Sequence, residues 1–282
     1  PYNGSATTIS ADSDPYSGSF INPADLDDNL DILYTNFATG SSPSRSGAIG
    51  RFSNLSTSVD KLVLTNALLD KDATVLKVSP FTTTSTKLYV GTSNGKVLRV
   101  DNANTTPVWT NISGGGFVGS ISSIAFGTSE NEIMVTFHNY GVTSIWSSAD
   151  GGTNWTSKEG AFPDIPVKAI MMNPLNRNEV IIGTQLGVWK TDNFNDANPS
   201  WTQSFNGMSN VKITAFSLRT ADNTVMASTY GRGMFTGQFT AGATASLEDV
   251  IKDNKVFTMY PTVSSGEFTL FAKNTVGKAT LL

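Results

Sequence analysis

The side chains able to do chemistry are few and scattered. There is one histidine, His138, and there is no cysteine. Thiolate nucleophiles, thiolate metal clusters and disulfides are therefore excluded, and an imidazole-rich metal site lacks its second imidazole. His138 falls in the strand-like run Ile133–Asn139, where it reads as a packed or surface residue. No G-x-S-x-G turn is present to carry a serine nucleophile. Carboxylates are more plentiful, and a glycosidase needs two of them flanking a cleft. Asp14, Asp25, Asp27, Asp28, Asp70, Asp72, Glu130, Glu132, Glu159 and Asp164 lie on candidate loops, but none sits in a recognisable pairing motif. The dense acidic run Asp25-Leu26-Asp27-Asp28-Asn29-Leu30-Asp31 invites a Ca²⁺ reading, since hard oxygen ligands suit that ion. It lacks the glycine and distal glutamate of a calcium loop, and it matches in position the turn Asn173–Glu179, so it reads as a turn. Gly114-Gly115-Gly116 is followed by neither a helix pattern nor a lysine, so it reads as a turn and not as a phosphate cradle. These residues predict no catalytic, metal-binding or cofactor-binding group.

Composition narrows the partners. Of 282 residues, 39% are hydrophobic, enough for a core, while only 15% are charged. Uncharged Ser, Thr, Asn and Gly must therefore cover much of the surface, the profile of an all-β chain with many turns. The net charge of −4 and the absence of any basic stripe argue against nucleic acid and against a polybasic membrane contact. No apolar stretch approaches the roughly 20 residues of a membrane span. The first residue is Pro1 and no signal peptide is visible, so the sequence reads as a processed or partial chain.

The elements that must position these residues repeat. Trp109, Trp155 and Trp201 stand 46 residues apart, each followed by Thr. A β-rich run keeps nearly the same period: Leu88–Thr92, Ile133–Phe137, Val180–Thr184 and Val225–Thr229. In the clearest repeat four runs can be picked out, Val167–Met172, Glu179–Thr184, Gly187–Thr191 and Ser200–Phe205. Four short strands every 40 to 50 residues is the pattern of a β-propeller blade. Helical repeats have similar periods, but turns such as Asn94-Gly95, Asp150-Gly151-Gly152 and Gly231-Arg232-Gly233 break each segment too early for three helical turns. Repeats begin near residues 18, 74, 120, 166 and 212, about five blades. The first is longer, with runs Asp31–Asn36, Gly47–Phe52 and Lys61–Leu69; the last is short and ends near Phe239. Residues 1–17 read as the closing strand and linker of a preceding blade. The expectation is a propeller over residues 1–240 that continues upstream, to seven blades or more.

Ser148-Ala149-Asp150-Gly151-Gly152-Thr153-Asn154-Trp155 fits S-x-D-x-G-x-x-W at a repeat position. Asp150 is placed to accept backbone N–H groups across the turn, Gly152 to supply a positive φ, and Trp155 to anchor the turn to its blade. Degenerate copies are Val100-Asp101-Asn102 leading to Trp109, and Lys190-Thr191-Asp192-Asn193 leading to Trp201, both with inserted residues. Residues 18–240 thus resemble the Asp-box propellers, a superfamily of sialidases, xyloglucan-cleaving glycosidases, sortilin-type receptors and photosystem assembly factors. Asn173-Pro174-Leu175-Asn176 and Thr229-Tyr230-Gly231-Arg232-Gly233-Met234-Phe235 bring it nearest to the sortilin-like and xyloglucanase-like repeats. In that family the box is a fold element on the blade periphery. The sialidase members need three arginines around a carboxylate, and the contexts of Arg45, Arg51, Arg99, Arg177, Arg219 and Arg232 do not suggest that triad.

After a linker at 241–253, the pattern changes. Phe257-Thr258-Met259-Tyr260-Pro261 and Ser264-Ser265-Gly266-Glu267-Phe268-Thr269-Leu270 resemble the start of the type A sorting domain of the Bacteroidetes type IX secretion system. Tyr260, Pro261, Gly266 and Phe268 carry the likeness; Thr262 and Val263 replace that family's usual Asn and Pro. The resemblance implies export across the outer membrane, contact of the tail with a translocon or outer-membrane shuttle, and the opening of a small β-sandwich domain at 254–282. The functional expectation is a secreted or cell-surface binding module for protein or glycan. The alternative is a secreted glycoside hydrolase of the Asp-box type.

Overall fold

The computed structural model describes residues 17–40, 46–204, 207–208, 210–242, 257–260 and 269–272. Contacts divide the chain into one unit ending at Thr240 and a second beginning at Ala241. No helix is long and apolar enough to cross a membrane among the described residues.

The first unit is all β. Its first sheet holds β1 (Ala24–Asp27), β2 (Ile32–Asn36), β3 (Ile49–Ser53) and β4 (Asp60–Leu64). The second holds β5 (Ala73–Val78), β6 (Leu88–Thr92), β7 (Val97–Asp101) and β8 (Val108–Asn111). The third holds β9 (Ile121–Phe126), β10 (Ile133–Phe137), β11 (Ile145–Ser148) and β12 (Thr156–Ser157). The fourth holds β13 (Val167–Asn173), β14 (Asn176–Thr184), β15 (Gly187–Thr191) and β16 (Thr202–Ser204), and the fifth β17 (Ile213–Arg219), β18 (Thr224–Thr229) and β19 (Met234–Gln238). Every sheet is an antiparallel meander in chain order, and three strands are described in the fifth. The first strands β1, β5, β9, β13 and β17 pack side by side, each on the next. This is the arrangement of β-propeller blades, with first strands inside and last strands outside.

The periodic runs become second strands for a physical reason. A blade is covered on both faces by its neighbours, so its middle strands lose the apolar/polar alternation of a half-exposed sheet. All five residues of β6 and of β10 are buried. Between the first two blades Tyr34 and Ile49 meet Leu88, Val90 and Leu98; between the third and fourth, Met134 and Ile145 meet Val180 and Ile182. Gly91 and Gly183 recur in this pattern because a β-carbon at either would come within 2.5 Å of Ile121 or Ile213, on the first strand of the following blade. Glycine serves there by its size, and the next blade's isoleucine takes the space.

The first strands share a second irregularity. The ladder slips by one residue near their beginning, in β5 at Thr74, in β9 at Ser122, in β13 at Lys168 and in β17 at Thr214. Such bulges tilt one side chain out of the regular alternation.

One expectation is revised. Asp25 and Asp27 belong to β1, paired with Tyr34 and Ile32, so only the latter part of the acidic run forms the turn. In the second unit β20 (Phe257–Tyr260) pairs antiparallel with β21 (Thr269–Ala272), Tyr260 opposite Thr269. Pro261, Gly266 and Phe268, and the reading of residues 1–16 as a closing strand, lie outside the described residues.

Candidate functional site

The Ser148–Trp155 turn closes the hairpin between β11 and β12. The Asp150 Oδ1 accepts the Ser148 hydroxyl at 2.8 Å and the Asn154 N–H at 2.8 Å, while Oδ2 accepts the Asn154 side-chain amide at 2.7 Å. Ser148 Oγ accepts the N–H of Gly152 at 2.9 Å. Gly151 and Gly152 hold φ of 71° and 90°. These donors hold the Asp150 carboxyl down at a pKa of about 2, the Asn154 backbone N–H foremost, although the group is solvent-exposed. The Trp155 indole N–H bonds the Ile112 carbonyl at 2.7 Å, at the end of the preceding blade. The Asp150 carboxylate, the Ser148 hydroxyl and the Trp155 indole N–H are thus spent on the turn or on the neighbouring blade.

The fourth blade repeats this with different residues. Thr191 Oγ1 donates to Asn193 Oδ1 at 2.8 Å, and Asn193 Oδ1 accepts the N–H of Ser200, the residue before Trp201, at 2.9 Å. The acid position is therefore filled by Asn193, while Asp192 pairs with Lys190 at 3.0 Å on the surface. The Trp201 indole N–H reaches the Lys158 carbonyl of the preceding blade at 2.9 Å. Within the degenerate copy Lys190-Thr191-Asp192-Asn193, the acceptor is thus the amide and not the carboxylate, because the turn needs a side-chain oxygen two residues after a hydroxyl. Trp109 sits within β8 and packs on the core between the first two blades.

The acidic candidates disperse. Asp25 accepts the Val78 N–H at 2.7 Å beside Lys77, and Asp27 accepts the Thr86 hydroxyl at 2.6 Å. Asp31 accepts the Ser56 N–H at 2.9 Å. Glu130 pairs with Lys87 and two hydroxyls, Glu132 with Arg177 at 2.7 Å, and Asp70 with Lys96 at 2.9 Å. Glu159 is pushed up by burial, and its carboxylate accepts the Ser144 N–H. Asp164 accepts the Gly141 N–H at 2.8 Å. Among the described residues no three His, Asp or Glu side chains converge as a metal site. Arg51 donates to the Ala103 carbonyl at 3.0 Å, Arg99 pairs with Asp101 at 3.0 Å, and Arg219 with Asp222 at 2.6 Å, in three different blades. Asp14 and Arg45 lie outside the described residues.

What the fold does bring together is the axis. All five first strands line a cavity of about 570 Å³. At the end where these strands begin, a second cavity of about 470 Å³ opens among Thr74, Ser93, Ser120, Ser122, His138 and Lys168, with Lys71 and Asp72 also on its wall. The loops after the second strands rise at the same end and expose Tyr140 and Tyr230. Nδ1 of His138 is buried without a hydrogen-bond partner. Burial, then the charges of Lys168 and Lys212, depress this imidazole to a pKa of about 4. Burial and the charge of Lys212 likewise lower Lys168. Sequence reading set His138 aside as a lone residue; the cations near it come from two later repeats and only the fold gathers them.

No family model matches the chain, and no curated protein matches it. Among solved structures the chain is similar to the β-propeller domain of Myceliophteria thermophila Cps50 (Swd1), at 12% identity and a TM-score of 0.54. The match covers 76% of this chain and 64% of that one, so the chain spans less than two thirds of its length. The likeness shows a β-propeller fold.

Proposed function

We propose that the chain is a binding propeller displayed outside the cell that makes it, taking a glycan or protein ligand on the face where the first strands begin. The observation that carries this reading is the 470 Å³ cavity at that face, where several hydroxyls and Lys168 converge beside the buried, unpartnered Nδ1 of His138. A concave site with a few convergent polar groups is the ordinary form of a ligand site. The carboxylates described above are engaged in hydrogen bonds or ion pairs that hold turns and blades together, which favours binding over hydrolysis. Polysaccharide pull-down and glycan arrays test this. Retention without cleavage is expected, and robust hydrolysis of a bound glycan would overturn it.

Export is the second half of the proposal. It rests on the likeness of Tyr260-Pro261 and Gly266-Glu267-Phe268 to type IX sorting domains, with a translocon or outer-membrane shuttle as the partner of the tail. Deleting residues 254–282, with whatever tail follows, should leave the protein in the periplasm. Normal secretion of the deletion would refute the assignment.

A further inference from the structure

Of the four bulged first strands, β5 and β9 use the bulged residue to bond the next blade, and β17 uses it within its own blade. Thr74 donates its hydroxyl to the Ile121 carbonyl at 2.7 Å, bridging the second blade to the third. Ser122 does the same to the Val167 carbonyl at 2.6 Å, bridging the third to the fourth. Thr214 keeps the hydroxyl and bonds the Ser228 carbonyl at 3.1 Å. At the equivalent place the fourth blade carries Lys168. Its ammonium has no hydrogen-bond or ion-pair partner among the described residues, and its side chain lines the cavity at the channel mouth. A repeat that abandons an inter-blade hydrogen bond to place a partly buried, unpaired cation breaks its own local rule, and such breaks concentrate at functional sites.

The neighbours of Lys168 fit the same purpose. His138 shares the cavity. It is held by its own N–H bond to the Ser120 carbonyl at 3.1 Å. The matching bond one blade beyond the fourth joins the Tyr230 N–H to the Lys212 carbonyl at 2.9 Å, and the Lys212 ammonium sits 5.8 Å from the Tyr230 ring centre. His138, Lys168 and Lys212 thus come from three successive blades and from three places of the repeat: just after the second strand, at the bulge of the first strand, and just before the first strand. Asp72 also lines the cavity and Asp164 stands by the His138 loop; Lys71 adds a further cation on the wall.

We propose that Lys168, with His138 and Lys212, binds the carboxylate or sulfate groups of an acidic polysaccharide at the channel mouth. This rests on the binding reading above. A polysaccharide fits better than a protein for two reasons. Tyr140 and Tyr230, 63% and 76% exposed, offer separate flat faces to sugar rings. The cavity wall sets the hydroxyls of Thr74, Ser93, Ser120 and Ser122 among the apolar Ile21, Pro23, Ala73 and Ile121, a mixture that suits the hydroxyls and apolar ring faces of sugars.

The test measures binding of the chain to polygalacturonate (uronate carboxylates), to dextran sulfate (sulfates only) and to neutral dextran. Binding to either acidic polymer, weakening with salt, and none to dextran is expected. Lys168→Thr restores the repeat's hydroxyl, so it should fold with a melting temperature no lower than the parent's and bind about tenfold or more weakly. Lys168→Gln with Lys212→Gln provides the same reading should the threonine variant fail to fold, and Lys190→Gln, away from the mouth, should bind as the parent does. A folded Lys168→Thr or double variant with parental affinity overturns the proposal. Binding of neutral glycans with no preference for acidic ones overturns it while leaving the binding reading standing. Absence of any ligand on glycan and protein arrays removes that reading as well.

Discussion

Asp150 and Asn193 do the same work in successive blades with different charges. Each is an acceptor two residues after a hydroxyl, and each receives the N–H of the residue before a tryptophan. A side-chain acceptor is what both turns share, and at Asp150 the charge adds to it, since Oδ2 accepts the Asn154 amide where an asparagine would present a donor. Asp150→Asn should therefore melt below the parent but above Asp150→Ala; equal melting of the two variants would contradict the assignment. Because the folded Asp150 pKa lies below the ordinary 3.8, the unfolded chain takes up the proton first as pH falls. The stabilisation is complete above about pH 4 and fades toward about pH 2, and the Asp150→Asn variant should lack that part of the acid sensitivity. Trp155→Phe keeps the ring contacts but leaves the Ile112 carbonyl without the indole N–H, and should cost about 1 kcal/mol in denaturant unfolding. Of these features the sequence displayed Asp150 and the tryptophans, because their spacing is regular. It concealed the role of Asn193, because the three additional residues before Trp201 disguised a turn that keeps the bonds from the hydroxyl and from the N–H before the tryptophan to one side-chain oxygen.

At the scale of strands and blades, the contact between neighbours is set by small residues opposite large ones. Gly91 and Gly183 leave the space that Ile121 and Ile213 fill. Either Gly91→Val or Gly183→Val places branched carbon where an isoleucine already sits, and should destabilise by about 1–3 kcal/mol or more in chemical denaturation. A change within 0.5 kcal/mol, roughly the scale of a surface substitution, would mean that these blades do not pack as described. Here the sequence was informative in an indirect way. The recurrence of Val90-Gly91-Thr92 and Ile182-Gly183-Thr184 marked the middle strand, yet the reason for the glycine lies in the following blade, about 30 residues away in each case. β1 was legible only in part. Its residues Ala24–Asp27 are short, polar and acidic, and they become a strand because β2 and the neighbouring Val78 N–H supply partners that no local pattern announces.

For the whole molecule, the period of the tryptophans and buried strands was enough to read the all-β blade architecture, since a blade covered on both faces must repeat both its length and its apolar runs. The mouth of the channel was not legible. His138, Lys168 and Lys212 lie in three repeats, and their meeting depends on the order of blades about the axis. The burial of His138, with the charges of Lys168 and Lys212 beside it, has a measurable consequence. The folded His138 pKa of about 4 lies below the unfolded 6.5, so between those values the unfolded chain binds more protons and stability rises with pH. Roughly 1–3 kcal/mol should be lost on acidification across that window. His138→Gln should flatten it, and an unchanged slope would show that the imidazole is not desolvated.

The most direct measurement of the central claim, that the mouth is the ligand face, is amide hydrogen exchange of the chain with and without polygalacturonate. Slowed exchange is predicted in the loop 138–142 and around Lys168, Lys212 and Tyr230, with the turn Ser148–Trp155 unchanged. Protection centred on Ser148–Trp155 or on Thr191–Trp201, with none at the mouth, would contradict it.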